Sequence, residues 1–282
     1  MSAQKQDGEH PSAVWKAAAG NAWVQMQDVL DAMLAPFTPL VLDSALRAET
    51  RHVLDVGCGA GATTLAAARR LGANGSCTGV DVSPPLIDAA RRRAHEAAPG
   101  NARFVLGDAQ THVFEPGTFD ALVSRFGVMF FADPVAAFTN LHEAIRRDGP
   151  LSFVAWRSPR ENPFMTEAAR AAAPFLPALA SPDPSAPGQW AFADAARVRG
   201  ILEASGWHGI AIEPVDVPSS LAVADLDEYL VRLGPVGVAL QDADEATRSR
   251  VIAAVRAAFD RYVEGDVVRF TAACWRVTAR RA

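Results

Sequence analysis

The residues with the plainest chemical use lie in Val53-Leu54-Asp55-Val56-Gly57-Cys58-Gly59-Ala60-Gly61-Ala62-Thr63-Thr64. An apolar run ends in three alternate glycines and opens into a helix-forming stretch. Residues without Cβ let the backbone turn sharply and let a ligand approach closely. The helix that follows offers free backbone N–H groups and the positive end of its dipole. This is a cradle for part of a nucleotide-like cofactor. Two acids accompany it: Asp55, two residues before the first glycine, and Asp81, near the end of the next apolar run, Cys77-Thr78-Gly79-Val80-Asp81-Val82. A carboxylate at that second position can accept from both hydroxyls of a ribose.

One glycine loop leaves the cofactor open. Gly57, Gly59 and Ala62 satisfy the G-x-G-x-x-[G/A] pattern of dinucleotide sites. Gly57, Gly59 and Gly61, preceded by Asp55, equally resemble motif I of the class I S-adenosylmethionine-dependent methyltransferases. An acid beside the loop suits a donor that carries an ammonium and a sulfonium, whereas a pyrophosphate would be repelled by it. Asp81 serves either cofactor. The third apolar run, Ala102 to Leu106, ends in Gly107-Asp108-Ala109. In the methyltransferases that it resembles, an Asp-Ala at this place reads adenine, the carboxylate accepting from the exocyclic amine and the next N–H donating to the ring. The fourth run, Phe119 to Phe131, the Asp133-Pro134 helix start and the turn at 146–150 continue the likeness as far as Trp156.

Four motifs in this order make the chain similar to the small-molecule, ubiquinone/menaquinone-biosynthesis-like branch of that family. The resemblance implies S-adenosyl-L-methionine as cofactor and S-adenosyl-L-homocysteine as product. It implies a donor site built from Trp23, Asp55, Gly57, Cys58, Gly59, Gly61, Asp81, Val82, Asp108, Ala109, Gln110, Ser124, Arg125 and Phe126. In related enzymes an N-terminal helical segment folds over the donor. Trp15 and Trp23 are placed to join such a lid or to be ordinary packing residues.

The elements that must position these groups follow from periodicity. Residues 50–157 alternate short apolar strands (52–56, 76–82, 102–107, 119–124 and 150–156) with helical stretches, which implies βαβ units and a parallel sheet. Ligands in such sheets bind at the carboxyl ends of strands, and the motif residues fall there. Before this core, Ala13 to Ala48 reads as helical, broken by Pro36 and Pro39 into two helices, and the polar residues 1–12 read as frayed. After it, 158–190 is proline-dense with one helix from Pro163 to Ala173, which suits a mobile loop over a pocket. A helix from Phe192 to Ala204, a strand over 210–217, helical stretches over 224–234 and 244–264, and a closing strand from Val267 to Ala279 complete the chain. The expected fold class is α/β: a Rossmann-like doubly wound sheet, mostly parallel, with an antiparallel last strand and a helical cap insertion. The expected division is a helical lid over 1–48, the donor-binding core over 49–157, a cap over 158–266 that includes one late core strand (about 209–217), and the closing strand over 267–282.

Bulk properties remove other classes. The 282 residues are half hydrophobic, with six tryptophans and fourteen phenylalanines, ample for a core of this size. A formal charge of −5 without a large basic patch argues against nucleic acid as partner. Arg91-Arg92-Arg93 reads as a solvated helix face. Three scattered cysteines make neither a disulfide framework nor a zinc pattern, so no metal is expected. No apolar run is long enough to span a bilayer. The polar start is unlike a signal peptide, so a soluble, cytoplasmic protein is expected. Monomer and homodimer both remain open.

Methyl transfer is an in-line displacement at a carbon already activated by positive sulfur, so alignment and exclusion of water are the protein's main tasks. Orientation alone accounts for ~7–11 kcal/mol of barrier in favourable intramolecular cases. An oxygen or nitrogen nucleophile can also need a base. The available candidates are His142, His112 and His208, of which His142 is the one carried forward as catalytic. Arg125, beside Phe126, is the other catalytic candidate, as a planar fork for a substrate carboxylate, with pairing to Asp133 or simple exposure as the alternatives. Phe126, Met129, Phe130 and Phe131 form an apolar rim, which points to a small, partly apolar acceptor. The rival functions are an adenosyl-donor-binding protein with non-methylating chemistry or a sensor role, and then an NAD(P)-dependent oxidoreductase.

Overall fold

The computed structural model describes residues 15, 18–97, 100–177, 179 and 186–282. The polar segment 1–12 lies outside the described residues. The core strands are β1 (His52–Val56), β2 (Ser76–Asp81), β3 (Ala102–Leu106), β4 (Ala121–Arg125) and β5 (Pro150–Trp156). Val53, Leu54, Ala121, Leu122 and Val123 have no exposed surface. Strands covered on both faces read as continuous apolar runs, and these do. The sheet order is β3-β2-β1-β4-β5-β8-β6, with β6 (Trp207–Ala222) and β8 (Val267–Arg281). The first five strands are parallel, and β8 runs antiparallel between β5 and β6. The fold is the expected Rossmann-like α/β sheet.

The crossovers between parallel strands are α4 (Ala62–Leu71), α5 (Pro84–Ala97) and α6 (Pro134–Ala144). Asp133 caps α6 by accepting from the Ala136 N–H, with Pro134 in the first turn, where its missing donor costs nothing.

Among the described residues three helices, not two, precede β1: α1 (Ala18–Gln25), α2 (Gln27–Leu34) and α3 (Phe37–Ala45). The first break comes at Met26 (φ −97°, ψ 13°). Pro36 does interrupt the chain, standing just before α3, but Pro39 lies within the first turn of that helix, where proline is tolerated. Phe37, Val41, Leu42 and Ala45 bury one face of α3 against β4 and β5.

The later half also differs in detail from the periodicity. The segment expected to be a loop over the pocket supplies core residues at both ends: Phe164 on α7 (Pro163–Ala172), and Trp190. Residues 178 and 180–185 of it lie outside the described residues. The strand expected over 210–217 extends from 207 to 222 as β6, pairing with β8 through a bulge between His208 and Ala211. After α8 (Ala195–Ala204), β6 leads into α9 (Val223–Arg232), α10 (Gly234–Ala239) and α11 (Glu245–Phe259). The last helix ends before 264, because Val263 and Glu264 pair with β8 as a short hairpin strand, β7.

Two buried polar side chains fix α7. Asn162 clamps its start to β8, donating to the Ala273 carbonyl at 2.9 Å and accepting from the Ala273 N–H at 2.8 Å. Glu167 is 2% exposed and accepts from both Arg170 and Arg261, which ties α7 to the turn after α11.

Candidate active site

The glycine loop takes its shape from close backbone approach. The N–H groups of Gly57 and Cys58 both donate to the Val80 carbonyl, at 2.9 and 3.1 Å. Gly57 has φ +66°, and a Cβ there would lie 2.5 Å from Gly127 Cα, so β1 and the chain after β4 meet backbone to backbone. Gly59, at φ +54°, has nothing within 4 Å of a would-be Cβ; it faces open space. Its N–H donates to Asp81 at 2.9 Å, and the Ser83 N–H donates to the other carboxylate oxygen at 2.9 Å. Burial pushes the Asp81 carboxyl above its ordinary value, against the backbone donors of Ser83, Gly59 and Val82, which favour the anion. Each oxygen keeps a further lone pair for a ligand.

Open space beside the loop belongs to a cavity of about 540 Å³ at the carboxyl ends of the strands. At its loop end the wall includes Gly57, Cys58, Gly59, Asp81, Val82, Asp108 and Ala109. Arg125, Phe126, Trp15 and Trp23 line it as well. Those two indoles meet edge to face at 5.4 Å, and Trp15 meets Phe130 at 5.1 Å, so they pack on each other and line the cavity at once. The Cys58 thiol stays protonated, since burial raises it well above its ordinary value.

Four residues read as donor contacts stand behind this wall instead. Asp55 is fully buried beneath the loop, with one oxygen accepting from Thr64 Oγ1 at 2.6 Å and the other without a partner. Burial raises its carboxyl to about 6, and the Thr64 hydroxyl and then Arg125 oppose the rise. Gly61 packs under Phe104. Gln110 turns away to accept from the Asp133 N–H at 2.9 Å, beside the start of α6. Ser124 is fully buried and donates to the Val56 carbonyl at 2.7 Å, stitching β4 to β1. All four shape the wall that others present.

The histidines lie elsewhere. His142, on α6, meets Trp207 edge to face at 5.3 Å and does not line the cavity. Burial lowers its pKa. His112 stacks edge-on against Phe114, and His208 is exposed on β6; neither lines the cavity.

Three charged groups meet beside the cavity, two of them, Asp31 and Arg125, in its wall, and spacing along the chain pointed to only one. Arg125 Nη1 donates to the Leu34 carbonyl at 3.1 Å and to Thr38 Oγ1 at 3.3 Å, while Nη2 lies 4.0 Å from Asp31. Asp31, on α2, lines the cavity and accepts from Arg93. Arg93 also donates to the Ala60 carbonyl in the glycine loop at 2.7 Å, so the third arginine of the supposed solvated run turns inward. Nothing in the α2 periodicity marks Asp31; its role comes from the tertiary meeting of α2, α5 and β4.

Phe126 carries a left-handed backbone (φ 66°), unusual for a residue with a bulky side chain. Its ring stacks on Trp156 at 4.2 Å and meets Phe37 edge to face at 4.9 Å, which holds the conformation. From there the aromatic wall continues to Phe164 and Phe270, themselves stacked at 3.9 Å. Leu230, Val236 and Phe259 complete an apolar far end, into which Ser219, Tyr229, Arg232, Gln189 and Gln241 bring the polar atoms.

Comparison with known proteins agrees with this geometry. Residues 53–149 match a family described as "Methyltransferase domain". The chain is 31% identical over 122 residues to the aklanonic acid methyltransferase DauC of Streptomyces sp. (strain C5), covering 42% of this chain and 56% of that one. It is 31% identical over 172 residues to the nocamycin O-methyltransferase of Saccharothrix syringae, covering 55% and 61%. It thus spans a little over half the length of the curated relatives it matches. The crystal structure of YcgJ from Bacillus subtilis shares the fold, with a TM-score of 0.55 at 18% identity over 88% of this chain and 97% of that one. Residues 53–149 of this chain are thus similar to a methyltransferase domain.

Proposed function

We propose that this protein transfers a methyl group from S-adenosylmethionine to a small, largely apolar molecule. The observation that carries the reading is one continuous cavity with the glycine loop, Asp81 and Asp108 at one end and an aromatic, aliphatic chamber at the other.

The loop end suits the donor on its own chemistry. Gly59 leaves room that a side chain would fill, Asp81 has lone pairs for a ribose, and Asp108 with the Ala109 N–H offers an acceptor and a donor to an adenine edge. Asp31 and Arg125, of opposite charge, suit the ammonium and carboxylate of an amino acid. The donor supplies a methyl group on a positively charged sulfur, already activated for displacement. The chain's part is to align an acceptor with that carbon and keep water away. Trp15 and Trp23 line the cavity, and α2 is held down by Arg93, by Arg125 and by Ser219, which donates to the Met33 carbonyl at 2.6 Å. In this reading the segment before β1 is the lid, 49–157 the donor domain, 158–266 the acceptor cap with one core strand, and 267–282 the closing strand. Cys58, Cys77 and Cys274 are unpaired and buried, which supports a reducing, cytoplasmic setting.

The test is calorimetry with S-adenosylmethionine, S-adenosylhomocysteine, NAD⁺ and NADP⁺, followed by methyl-labelled donor with a panel of apolar acceptors. Micromolar binding of the adenosyl pair and label in the acceptor are the expected results. Binding of a dinucleotide alone overturns the donor. Tight donor binding with product that carries no label overturns methyl transfer in favour of the non-methylating alternative.

A further inference from the structure

The far end of the cavity contains a polar group that the protein does not use. Ser219 is spent on the Met33 carbonyl at 2.6 Å. Arg232 is spent on Glu228, at 2.8 Å, and on Gln25. Tyr229, on α9, lines the same chamber, and its hydroxyl has no hydrogen-bond partner among the described residues. Leu226 and Leu230 are buried on the same helix and hold this side of α9 in place. Tyr229 is half-buried, so a phenol that lines the cavity without a partner in the chain is left to meet whatever fills it.

We infer that Tyr229 recognises the acceptor, its phenol donating a hydrogen bond to an oxygen carried by the apolar molecule that fills the far end of the cavity. The inference rests on the reading above, in which that end takes the acceptor. It goes further by naming the group that selects among apolar molecules: one with a carbonyl, ether or similar oxygen on a ring-sized hydrocarbon body.

Three features support a donor role. Burial pushes the phenol up to about 12, so it keeps its proton through the neutral range and acts as a donor rather than a base. A tyrosine ring turns about only two side-chain bonds, so little freedom is lost on binding. Gln189 and Gln241 also reach the wall, but their longer, freely rotating stems lose more on ordering, and each amide both donates and accepts. The aromatic wall formed by Trp156, Phe164 and Phe270 supplies the apolar contact around this one directed bond.

The test compares two rings of nearly equal shape, 1-tetralone with its carbonyl and tetralin without it. Each is titrated calorimetrically into wild type and Tyr229→Phe after titration with S-adenosylhomocysteine. The expected result is a tetralone-to-tetralin affinity ratio about 5- to 10-fold lower in Tyr229→Phe, with tetralin and S-adenosylhomocysteine affinities within twofold of wild type. An unchanged ratio overturns the inference. So does a variant that loses both rings equally, which would make the hydroxyl a packing or hydration feature, and so does a wild type that binds neither ring. The donor reading is judged separately, on the S-adenosylhomocysteine titration. The ring comparison is read at whatever occupancy that titration reaches.

Discussion

The two ends of the cavity are built by different means. The loop end is made largely of backbone: paired N–H groups on Val80, a glycine meeting a glycine, and an N–H aimed at Asp81. Its few side chains are short, and Cys58 and Asp108 sit next to glycines in the chain. The far end is made of side chains drawn from β5, α7, β6, α9, α10, α11 and β8, with few polar atoms among many rings and aliphatic groups. A ligand common to a family can be met by backbone geometry, which changes only when the fold changes. A ligand particular to one protein must be met by side chains, which change freely as long as volume and burial are kept.

The contrast breaks most visibly at Gly57. A valine there combines a left-handed φ with a Cβ 2.5 Å from the Gly127 backbone. Gly57→Val is expected to cost on the order of 4 kcal/mol in urea unfolding. A stable variant would mean that the loop has slack.

Asp55 gives the next largest effect. Its carboxyl stands near 6 in the folded protein against an ordinary 3.8, so the folded state retains a proton that the unfolded chain has released. The stability this contributes is complete below about pH 4 and is lost as pH rises through about 6, on the order of 3 kcal/mol. Stability measured against pH should show Asp55→Asn gaining on wild type by that order between pH 4 and 7. A constant difference would refute the account.

Asp81→Ala tests the loop end as a binding site. Losing two hydrogen bonds to a carboxylate should weaken S-adenosylhomocysteine roughly 100-fold while leaving 1-tetralone within threefold. Equal losses at both ends would erase the division between them.

Phe270→Ala tests the opposite end. Removing one of two stacked rings should cost about 2 kcal/mol of stability, alter 1-tetralone affinity and leave S-adenosylhomocysteine within twofold. The smallest effect belongs to Tyr229→Phe, which removes an unpartnered hydroxyl. Thermal unfolding should show it equal to wild type or more stable by up to about 1 kcal/mol. A marked loss would reveal a partner for the hydroxyl inside the protein.

Legibility in the sequence follows the same division. Gly57, Gly59, Asp81 and Asp108 can be located from the chain because each acts where a strand ends and a turn begins, and turn geometry is local. Ser124 and Gln110 are near those ends but face the wrong way. The facing is set by β4 pairing with β1 and by the packing of α6, which neighbouring residues do not encode. Arg93 reads as part of a solvated run, because it follows Arg91 and Arg92 directly in the chain. It turns inward only because Asp31 and the Ala60 carbonyl wait there. His142 draws attention as a titratable group after a motif strand, yet the α6 packing sends it to Trp207.

From its sequence alone this chain can be assigned its parallel sheet, its glycine turn, the acids that end its strands and its resemblance to a methyltransferase family. These rest on rules that act over a few residues: alternation, capping, and the freedom of glycine. Only the tertiary structure decides that Asp31, Arg93 and Arg125 converge and that Asp55 is buried rather than presented. Only it brings Tyr229 to the same chamber as Trp156 and Phe270. Those encounters join residues tens to more than a hundred positions apart. Their energies come from packing and desolvation, which exist only once the chain has folded.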